Sequence, residues 1–530
     1  FPYTTLFRSS KKVSDRIRDR FQKELGLTQA GIILNSSHTH SGPVVCEALT
    51  DIYPTDDLEN QKIERYTDNL VKKIIELGIR ARNDLEPATI YAENGTVRFQ
   101  VNRRNNKEAE IAGVYELNGP NDYAVPVVKV VDAEGKIKAI AFGYACHATT
   151  LNGYQWSGDY PGYAQSELEK QYKDATALFF QGCGADQNPI PRRTIPLAVQ
   201  YGKELAAAVE CVLNDHMREL DPQLNTAYSE TSLPLNNAPT KSELEKMEKQ
   251  LSGHEKRWAS TLHGKLSKGE KLLTTYPYPV QVWRLGEQMI VSLGGEPLID
   301  YSIQLKEIFG HDIFVLGYSN DVAAYIPSEK VLQEGGYEVT GSPRVYGLPS
   351  VWKPGIQKQI LGEAVSLAYQ TGIPETPALN KMLNMVMHHI SGHSASGKKE
   401  KLIAKSFFSG FDLAHDTYNA ISRASDGKIY YVLSSESYHT GGQMYCYDPE
   451  SDKTSWLGDL TEICGEKGKN TISQGKSHVR FYESQGKLYF ATHVGYYEMI
   501  DGMECLPVHA PEGYKLYPGG HFLSYSLQSG

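Results

Sequence analysis

The sequence lacks three features that would each have assigned it to a broad class of protein. It has no Cys-x-x-Cys pair, and its seven cysteines are scattered and odd in number, which argues against a disulfide framework or a thiolate zinc site. It has no apolar run near the roughly 18–20 residues that a membrane helix needs, so we predict no transmembrane segment. It also lacks a basic surplus, since 54 Lys and Arg stand against 63 Asp and Glu, and we predict no nucleic-acid partner.

The N-terminus also lacks the features of a natural start. Residues 1–9 (FPYTTLFRS) carry no initiator Met and none of the charged, apolar and small-residue regions of a signal peptide. They resemble the in-frame translation of a sequencing adapter, so we exclude them from the fold prediction; a natural extended segment is the alternative. On the adapter interpretation, we expect the native start and any export signal to be missing from this sequence.

What the sequence does have is length, tyrosine and regular apolar patterns. Its 530 residues suffice for two to four domains at roughly 150 residues each, and 34 Tyr against 15 Phe favours polar-edged, ligand-contacting or β-rich surfaces. Residues 10–375 alternate helical patterns with short apolar runs, which predicts an α/β domain with a mixed β-sheet core and flanking helices. The predicted helices are 13–25, 58–83, 160–172, 195–213 and 240–262, and the predicted strands are 31–36, 125–131, 137–145, 176–181, 280–293 and 312–318.

The pattern changes after residue 375. Residues 376–404 are polar and end in a Ser, Gly and Lys-rich stretch, which predicts a linker, and residues 405–530 predict an all-β domain. Within it, the segments 426–431 (DGKIYY) and 485–490 (QGKLYF) are similar, as in Kelch-type propeller blades. Two copies cannot close a ring of about 4–8 blades, so we expect an incomplete propeller; a small β-sandwich with chance similarity is the alternative.

Polar residues follow several of the predicted strands. His38 and His40 come after the first one, and because residues i and i+2 of a strand face the same side, both can reach one site. His147, Glu296 and Tyr325 follow later strands, and imidazole nitrogens and carboxylate oxygens are zinc ligands. Any one of these residues alone is more often structural, and an HxH pair is as often solvated or packed in a core. Their recurrence after successive strands favours a metal site.

Seven motifs occur in an order that resembles a known family. They are HTHSGP (38–43), Asn102-Arg103, CHATT (146–150), GDYPGYA (158–164), FFQGCGADQNP (179–189), LGGEP (293–297) and GYSNDVAAYIP (317–327). Together, over about residues 10–375, they resemble the neutral/alkaline non-lysosomal ceramidase family. The resemblance implies that this part is the family's N-terminal catalytic domain and that the Kelch-like fragment follows it. The resemblance implies an exported protein, secreted or periplasmic.

The resemblance also implies a set of site residues. His38, His147, Glu296 and Tyr325 match the family's ligands to one Zn²⁺, and His40, Arg103 and Tyr337 match the residues around the scissile group. We therefore expect a zinc-dependent amidohydrolase in which metal-activated water attacks the amide carbonyl. Arg103, Tyr337 and His40 would stabilise the oxyanion or protonate the leaving amine, in a division of roles that the sequence leaves open.

One departure from the family affects the expected substrate. Asn188 stands where the ceramidases carry a serine before proline, which excludes a serine nucleophile there and leaves open ceramide or another N-acyl compound as substrate. We predict Asp186, Gln187 and Asn188 to line the substrate pocket; for Asp186 and Gln187, a turn-forming role is equally consistent.

Several functional alternatives stay open at this stage. One is a ceramidase-like hydrolase with a polar or glycan-derived substrate, and another is a catalytically silent metal- or glycan-binding protein whose C-terminal β domain contacts a glycan. An HxH amidohydrolase barrel is a further rival, but it would need eight βα units and later His and Asp ligands, whereas Glu296 and Tyr325 occupy the late positions.

Overall fold

The computed structural model describes residues 10–47, 49–113, 116–394, 408–500 and 503–529. They divide into two compact units, residues 1–397 and residues 398–530, and each unit is described by itself. Residues 1–9, interpreted above as an artefact, and residues 395–404 of the predicted linker lie outside the described residues. Within the described ranges, no helix is long and apolar enough to cross a membrane.

Helices and strands are interspersed along most of the first unit. The helices are α1 (Lys11–Leu25), α2 (Asp57–Asn83), α3 (Asp159–Gln171), α4 (Ile195–Asn214), α5 (Lys241–Gln250), α6 (Gly253–Ser267), α7 (Ile299–Phe309), α8 (Glu329–Glu334), α9 (Ser342–Val345), α10 (Ile356–Gln370) and α11 (Pro377–Ser394). The strands are β1 (Ala88–Thr96), β2 (Gln100–Asn102), β3 (Ala124–Asp132), β4 (Ile137–Tyr144), β5 (Thr176–Gln181), β6 (Gln187–Pro189), β7 (Arg218–Glu219), β8 (Leu224–Pro234), β9 (Thr275–Leu285), β10 (Gln288–Leu293), β11 (Glu296–Pro297), β12 (Phe314–Leu316) and β13 (Tyr325–Ile326).

Two mixed sheets hold the core of the first unit. One has the order β5-β4-β3-β1-β7, in which β4 and β5 are parallel and the other pairs are antiparallel. The other has the order β12-β10-β9-β8, in which β10 and β12 are parallel. Helices α3 and α4 bury Leu168 and Leu205 against the first sheet, and α10 buries Ile360 against the second. This architecture confirms the predicted α/β class with a mixed sheet.

The strand predicted at 31–36 is wrong. A 3-10 turn covers Gln29–Gly31, and the chain then runs irregularly, with a single bridge between Asn35 and Ser319. The physical reason lies in the Asn35 side chain, whose Nδ2 donates to Gly317 O at 2.8 Å and whose Oδ1 accepts from Gln181 N at 2.8 Å. One amide therefore joins the ends of β12 and β5, and no ladder forms here.

Two other predicted elements are each split in two. The predicted strand 280–293 is the hairpin of β9 and β10, which turns at Gly286 with a φ of 56° that favours glycine. The predicted helix 240–262 is α5 followed by α6, and α5 begins with a capping box in which Thr240 and Glu243 bond each other's backbone N–H.

Helix α11 occupies much of the segment predicted as a linker. Its residues Val386 and Ile390, four apart, are both buried in the core cluster that includes α10. The segment is therefore an amphipathic helix of the first unit, because apolar residues at helical spacing outweigh the polar composition that suggested a linker.

The second unit is built of antiparallel sheets, which confirms its predicted β character. Its strands are β14 (Ile421–Arg423), β15 (Ile429–Leu433), β16 (Gln443–Asp448), β17 (Lys453–Asp459), β18 (Tyr482–Ser484), β19 (Lys487–Ala491), β20 (Glu498–Ile500), β21 (Met503–Cys505) and β22 (Phe522–Ser526), and helix α12 covers Leu460–Ile463. One sheet is the meander β14-β15-β16-β17, another has the order β18-β19-β22, and β20 pairs with β21.

The two similar sequence segments of this unit form equivalent hairpins. Gly427 and Gly486, with φ of 85° and 72°, turn the chain from β14 into β15 and from β18 into β19. Their buried faces differ, since Tyr430 is 3% exposed whereas the corresponding Tyr489 is 41% exposed. The similarity therefore marks a shared hairpin, and a Kelch-like propeller is not confirmed.

Candidate metal centre

Three of the predicted ligands, His147, Glu296 and Tyr325, follow strands of the two mixed sheets along the chain. His147 lies three residues after β4, and Glu296 begins β11, which follows β10 by two glycines. Strand β11 pairs in parallel with β13, and the register sets Glu296 directly beside Tyr325. Polar side chains that follow strands of both mixed sheets thus meet at one place.

His38 and His40 reach the same place, but by a different route from the predicted one. The prediction rested on alternation within a strand, whereas His38 has a left-handed φ of 57° in an irregular segment. Backbone bonds hold this segment: Ser36 N donates to Tyr318 O at 3.1 Å, and His40 N donates to Ala148 O at 3.3 Å. The ring centroids of His38 and His40 lie 5.1 Å apart.

Donor atoms converge in the middle of this group. Glu296 Oε2 lies 3.2 Å from His38 Nε2 and 3.3 Å from His147 Nε2, and Tyr325 Oη lies 3.3 Å from His147 Nε2. The side chains of His38, His147 and Glu296 are fully buried, and Tyr325 is 4% exposed. His38, His40 and His147 also form a group in which one donor atom from each lies within 4.8 Å of the others.

These distances fit a tetrahedral metal ion. Ligand atoms about 2.0–2.1 Å from such an ion lie about 3.3 Å from one another, which matches the spacings given above. Nδ1 of His38 is buried and has no hydrogen-bond partner among the described residues, and the buried Nε2 faces only the carboxylate oxygen of Glu296 at 3.2 Å. Since buried polar atoms without partners are costly, the arrangement favours a bound cation. The buried His38, His40 and His147 group could therefore hold a metal.

The surroundings of His147 and Glu296 prepare them as ligands. His147 Nδ1 lies 2.6 Å from Gly184 O, so it carries the proton, and Nε2 presents its lone pair to the centre. Burial lowers the pKa of His147 to about 4, partly offset by Glu296, so the ring is neutral at pH 7. Burial raises the pKa of Glu296, but the neighbouring His38 and His147 outweigh it and hold that pKa well below its usual range.

Two tyrosines that the sequence analysis did not single out bond Glu296. Tyr318 Oη donates to Oε2 at 3.3 Å, and Tyr346 Oη donates to Oε1. Tyr318 lies within the GYSNDVAAYIP motif, so its place in that motif was an available signal. Tyr346 follows Glu296 by 50 residues and carries no sequence signal of this contact.

Arg103 and Tyr337 lie together at the edge of the group. The Arg103 guanidinium lies 5.4 Å from the ring centroid of Tyr325 and 5.9 Å from that of Tyr337. Glu338, another residue that the sequence analysis missed, accepts from Arg103 Nε at 3.2 Å and from Nη2 at 2.9 Å. Tyr337 is 48% exposed and lines the neighbouring cleft, so its side chain can contact a bound molecule. Partial burial and Glu296 raise the pKa of Tyr337 to about 12, which keeps the phenol protonated at pH 7.

Asp186 and Gln187 occupy supporting positions and do not line the cleft where the pocket was predicted. Asp186 accepts from Asn102 Nδ2 at 2.9 Å and from Ile299 N at 3.0 Å, and its own carbonyl accepts from Arg103 N at 2.8 Å. Gln187 donates to Pro120 O at 3.2 Å, and its carbonyl accepts the backbone N–H of His147 at 2.9 Å. Both side chains are buried, and Gln187 lies within the pairing of β2 with β6, which accounts for their absence from the cleft lining.

Asn188 does line a cleft beside the site. The cleft has a volume of about 440 Å³ and is lined by Arg103, Arg104, Asn106, Lys107, Glu108, Asn188, Ile190, Arg192, Tyr337 and Glu338. Asn188 is 4% exposed, and its Oδ1 has no hydrogen-bond partner in the described part of the chain. The lining is polar and rich in arginine, and Ile190 is its one aliphatic side chain.

Comparison with known proteins gives similarity over part of the chain. Neutral ceramidase B of Dictyostelium discoideum is 30% identical over 152 residues, which are 27% of this chain and 20% of that protein. Neutral ceramidase A of the same organism is 27% identical over 159 residues, which are 28% of this chain and 21% of that protein. Part of the chain is similar to neutral ceramidases. The matched segments span about a fifth of each relative's length, and no protein-family model matches.

Two solved structures are also similar to the chain. A ceramidase complexed with C2 has a TM-score of 0.49 and 14% identity, covering 92% of this chain and 82% of the other. Neutral ceramidase from Pseudomonas aeruginosa has a TM-score of 0.49 and 15% identity, covering 91% of this chain and 85% of the other. The sequence similarities confirm the resemblance to ceramidases over the matched segments, while export and the glycan contact stay predictions.

Proposed function

We propose that the first unit is a zinc-dependent hydrolase that cleaves the amide bond of an N-acyl compound, with ceramide as the first candidate substrate. His38, His147, Glu296 and Tyr325 would hold the ion. The observation that carries the proposal is the convergence of their donor atoms at spacings of 3.2–3.3 Å in a buried site. Similarity of part of the chain to neutral ceramidases supports the choice of an amide substrate.

The donor set suits zinc in particular. Zinc accepts nitrogen and oxygen donors in a tetrahedral arrangement, and the set includes no thiolate. A zinc ion in this set would supply Lewis-acid chemistry, which activates water for attack on a carbonyl carbon. Tyr325 is an uncommon ligand, since burial raises the pKa of its phenol, with Arg103 acting in the opposite direction.

Arg103 is the residue best placed to stabilise negative charge on the substrate. Its guanidinium borders both the buried group and the cleft, and the two hydrogen bonds to Glu338 fix its plane. A fixed cation beside the amide oxygen stabilises the charge that develops there during attack, without having to reorient.

Tyr337 and His40 are the candidates for proton transfer. Tyr337 lines the cleft and remains a phenol at pH 7, so it can donate a hydrogen bond or a proton to the leaving nitrogen. His40 Nε2 is buried and has no hydrogen-bond partner among the described residues, so it is available to a reacting group. We propose that Tyr337 donates the proton that the leaving amine gains, and that His40 accepts the proton that the attacking water loses.

Metal analysis and a substrate panel test the proposal. The purified chain is expected to bind one zinc ion and to hydrolyse labelled ceramide or another member of an N-acyl panel. His147→Gln is expected to lose the metal and at least 100-fold in rate, since it removes a buried ligand. His311→Gln replaces an exposed histidine and serves as the control, with both properties unchanged. Absence of zinc and of hydrolysis after zinc reconstitution would refute the proposal.

The cleft favours a second candidate, a polar N-acyl substrate. A long acyl chain needs an apolar groove, whereas this cleft presents arginines, Asn188 and a single aliphatic residue. The unpartnered Oδ1 of Asn188 would accept a hydrogen bond from such a substrate. In the same panel, N-acyl amino acids and N-acetyl sugars would then exceed ceramide in kcat/KM, and the reverse order would exclude this candidate.

A further inference from the structure

The cleft beside the candidate metal centre carries more positive than negative charge. Its charged lining residues are Arg103, Arg104, Lys107 and Arg192 against Glu108 and Glu338. Glu338 is shared, since its Oε1 accepts from Arg103 and its Oε2 accepts from Arg104, so one carboxylate offsets two guanidinium groups. Two acids that pair with this lining from outside it, Glu110 and Glu334, are 61% and 45% exposed, and exposed ion pairs contribute little. The cleft therefore favours an anionic occupant.

Arg192 stands on a backbone segment that is anchored beside the proposed ligand His147. The next residue, Arg193, donates its backbone N–H to Thr150 O at 2.6 Å. The Arg192 side chain is 15% exposed, and its Nη1 donates to Thr149 Oγ1 at 3.4 Å. Thr149 follows His147 by two residues. The chain segment that supplies His147 thus also holds Arg192.

The Arg192 guanidinium keeps hydrogen-bonding capacity for a bound molecule. Its Nε donates to Glu108 Oε2 at 2.9 Å, and its Nη2 lies 2.8 Å from the same oxygen, so a single carboxylate oxygen takes both contacts. In the described part of the chain, these contacts and the long bond to Thr149 leave an N–H on each terminal nitrogen without a partner. Glu108 is 37% exposed, so water screens its pairing with Arg192. Both terminal nitrogens can therefore donate to an anion in the cleft.

A buried acceptor lines the same cleft. Asn188 is 4% exposed, and its Oδ1 has no hydrogen-bond partner in the described ranges. A buried acceptor without a donor is costly, so this oxygen favours an occupant that supplies one. The N–H of a secondary amide is such a donor. The cleft therefore offers an acceptor for the amide N–H and cations for an acidic group attached near it.

The cleft receives the amine half of the proposed substrate. Tyr337, which we propose protonates the leaving nitrogen, lines the cleft together with Arg192. The volume of the cleft, about 440 Å³, lies within the roughly 300–1,000 Å³ of small-molecule sites. A small leaving amine that carries its own charge therefore has both the space and the counter-charge that it needs.

We infer that the substrate carries a carboxylate or a sulfonate on its amine half, and that Arg192 is the residue that selects it. A guanidinium can donate two parallel hydrogen bonds to the oxygens of such a group, which gives selectivity for its geometry as well as for its charge. The inference rests on the proposed amide hydrolysis. It narrows the substrate from a polar N-acyl compound to an N-acyl amino acid or an N-acyl aminosulfonate.

Binding of inert analogues tests the inference separately from hydrolysis. The full chain, supplied with zinc, is titrated calorimetrically with the N-octylsulfonyl derivatives of glycine, taurine and ethanolamine, in which a sulfonamide that resists hydrolysis replaces the amide. The glycine or the taurine analogue is expected to bind at least tenfold more tightly than the uncharged ethanolamine analogue, and the tighter of the two identifies the acidic group. Arg192→Gln is expected to reduce this preference at least fivefold. Arg193→Gln is the control, because it removes the same charge from an exposed neighbour outside the cleft lining, and it should change the preference less than twofold.

Equal binding of the three analogues, or an unchanged preference in folded Arg192→Gln, would overturn the inference. If circular dichroism shows that Arg192→Gln does not fold, Lys107→Gln replaces it, because the Lys107 side chain lines the cleft and is 80% exposed. This variant is expected to reduce the preference at least threefold, and a smaller reduction would also overturn the inference.

Failure of the proposed function would give a different result. A preference for the acidic analogues without hydrolysis of any of the corresponding N-octanoyl amides would refute the hydrolase and support the anion site. Hydrolysis of N-octanoylethanolamine with a kcat/KM equal to that of both N-octanoylglycine and N-octanoyltaurine would support the hydrolase and overturn this inference alone.

Discussion

Replacement of Glu338 by glutamine tests whether one buried carboxylate orients the guanidinium at the proposed reaction site. Glu338 is 3% exposed, and its Oε1 accepts both hydrogen bonds from Arg103, while its Oε2 accepts from Arg104 Nη1 at 2.5 Å. The variant keeps the size of the side chain and removes its charge. Any effect therefore reports on the ion pair and its geometry.

The expected magnitude follows from the two bonds to Arg103. Hydrogen bonds to a charged group contribute about 1.5–3 kcal/mol and neutral ones about 0.5–1.5 kcal/mol, so the variant should lose about 1–1.5 kcal/mol for each of the two bonds that orient Arg103, or about 2–3 kcal/mol in all. That loss corresponds to a fall of roughly 30- to 150-fold in kcat/KM. Because Arg103 acts on the developing charge, we expect the fall to appear mainly in kcat.

The pH dependence gives an independent measure of the same pair. Burial raises the pKa of Glu338, but Arg103 outweighs it and holds that pKa below its usual value. A depressed carboxyl pKa contributes stability that is complete above the unfolded-state pKa of about 4.3 and is lost as pH falls through the folded-state value. The stability difference between Glu338→Gln and the native chain should therefore shrink below about pH 4.

Steady-state kinetics with zinc content measured on the same samples completes the test. Glu334→Gln is the matched control, since its carboxylate bonds Arg104 Nη2 at 3.0 Å, is 45% exposed and does not contact Arg103. It should change kcat/KM less than twofold. The reasoning is refuted if Glu338→Gln matches this control at full zinc content.

Three further perturbations address the remaining parts of the site. Removal of metal with a chelator should abolish hydrolysis and lower the melting temperature, and zinc should restore both; retained activity in the metal-free protein would contradict the proposed centre. Tyr346→Phe removes the hydroxyl that donates to Glu296 and should weaken zinc binding about tenfold in a chelator competition, whereas an unchanged affinity would exclude a positioning role. Burial raises the pKa of Asp186 to about 6, so the folded state binds the proton of this carboxyl more tightly than the unfolded state does. Asp186 therefore lowers the stability of the fold as pH rises from about 4 to 6. Asp186→Asn should remove this pH dependence from urea midpoints measured across that range.

The elements predicted with the greatest accuracy are those with local signals at both ends. Helix α2 was predicted at 58–83, and it begins at a capping box formed by Asp56 and Glu59. The hairpin of β3 and β4 turns at Gly135, where glycine relieves a φ of 82°. By contrast, the segment 31–36 has the composition of a strand, and only the distant Gln181 and Gly317, which bond Asn35, prevent a ladder.

The site was predictable where residue type alone suggested chemistry. The convergence of His147, Glu296 and Tyr325 follows from the strands that precede them, whereas His38 and His40 reach the group through an irregular segment and Arg103 and Tyr337 were expected only from the family resemblance. Glu338 and Tyr346 were not predictable, since each acts by bonding a residue far away in the sequence: Arg103 precedes Glu338 by 235 residues. Such contacts depend on tertiary packing, and a carboxylate or a phenol in isolation does not indicate its partner.

The pairing of β2 with β6 connects Arg103 to the cleft. Asn102 pairs with Gln187, and Val101 pairs with Asn188, so the strand that leads into Arg103 is aligned against the segment that supplies the cleft lining. Backbone bonds carry this alignment, including the 2.8 Å bond from Arg103 N to Asp186 O. The position of Arg103 is therefore held by backbone bonds and not by the side chain at position 188. A fold organised in this way can keep the residues of the proposed centre and change the lining of the cleft, which is how asparagine at position 188, where the ceramidases that the chain resembles carry serine, would favour a polar N-acyl compound.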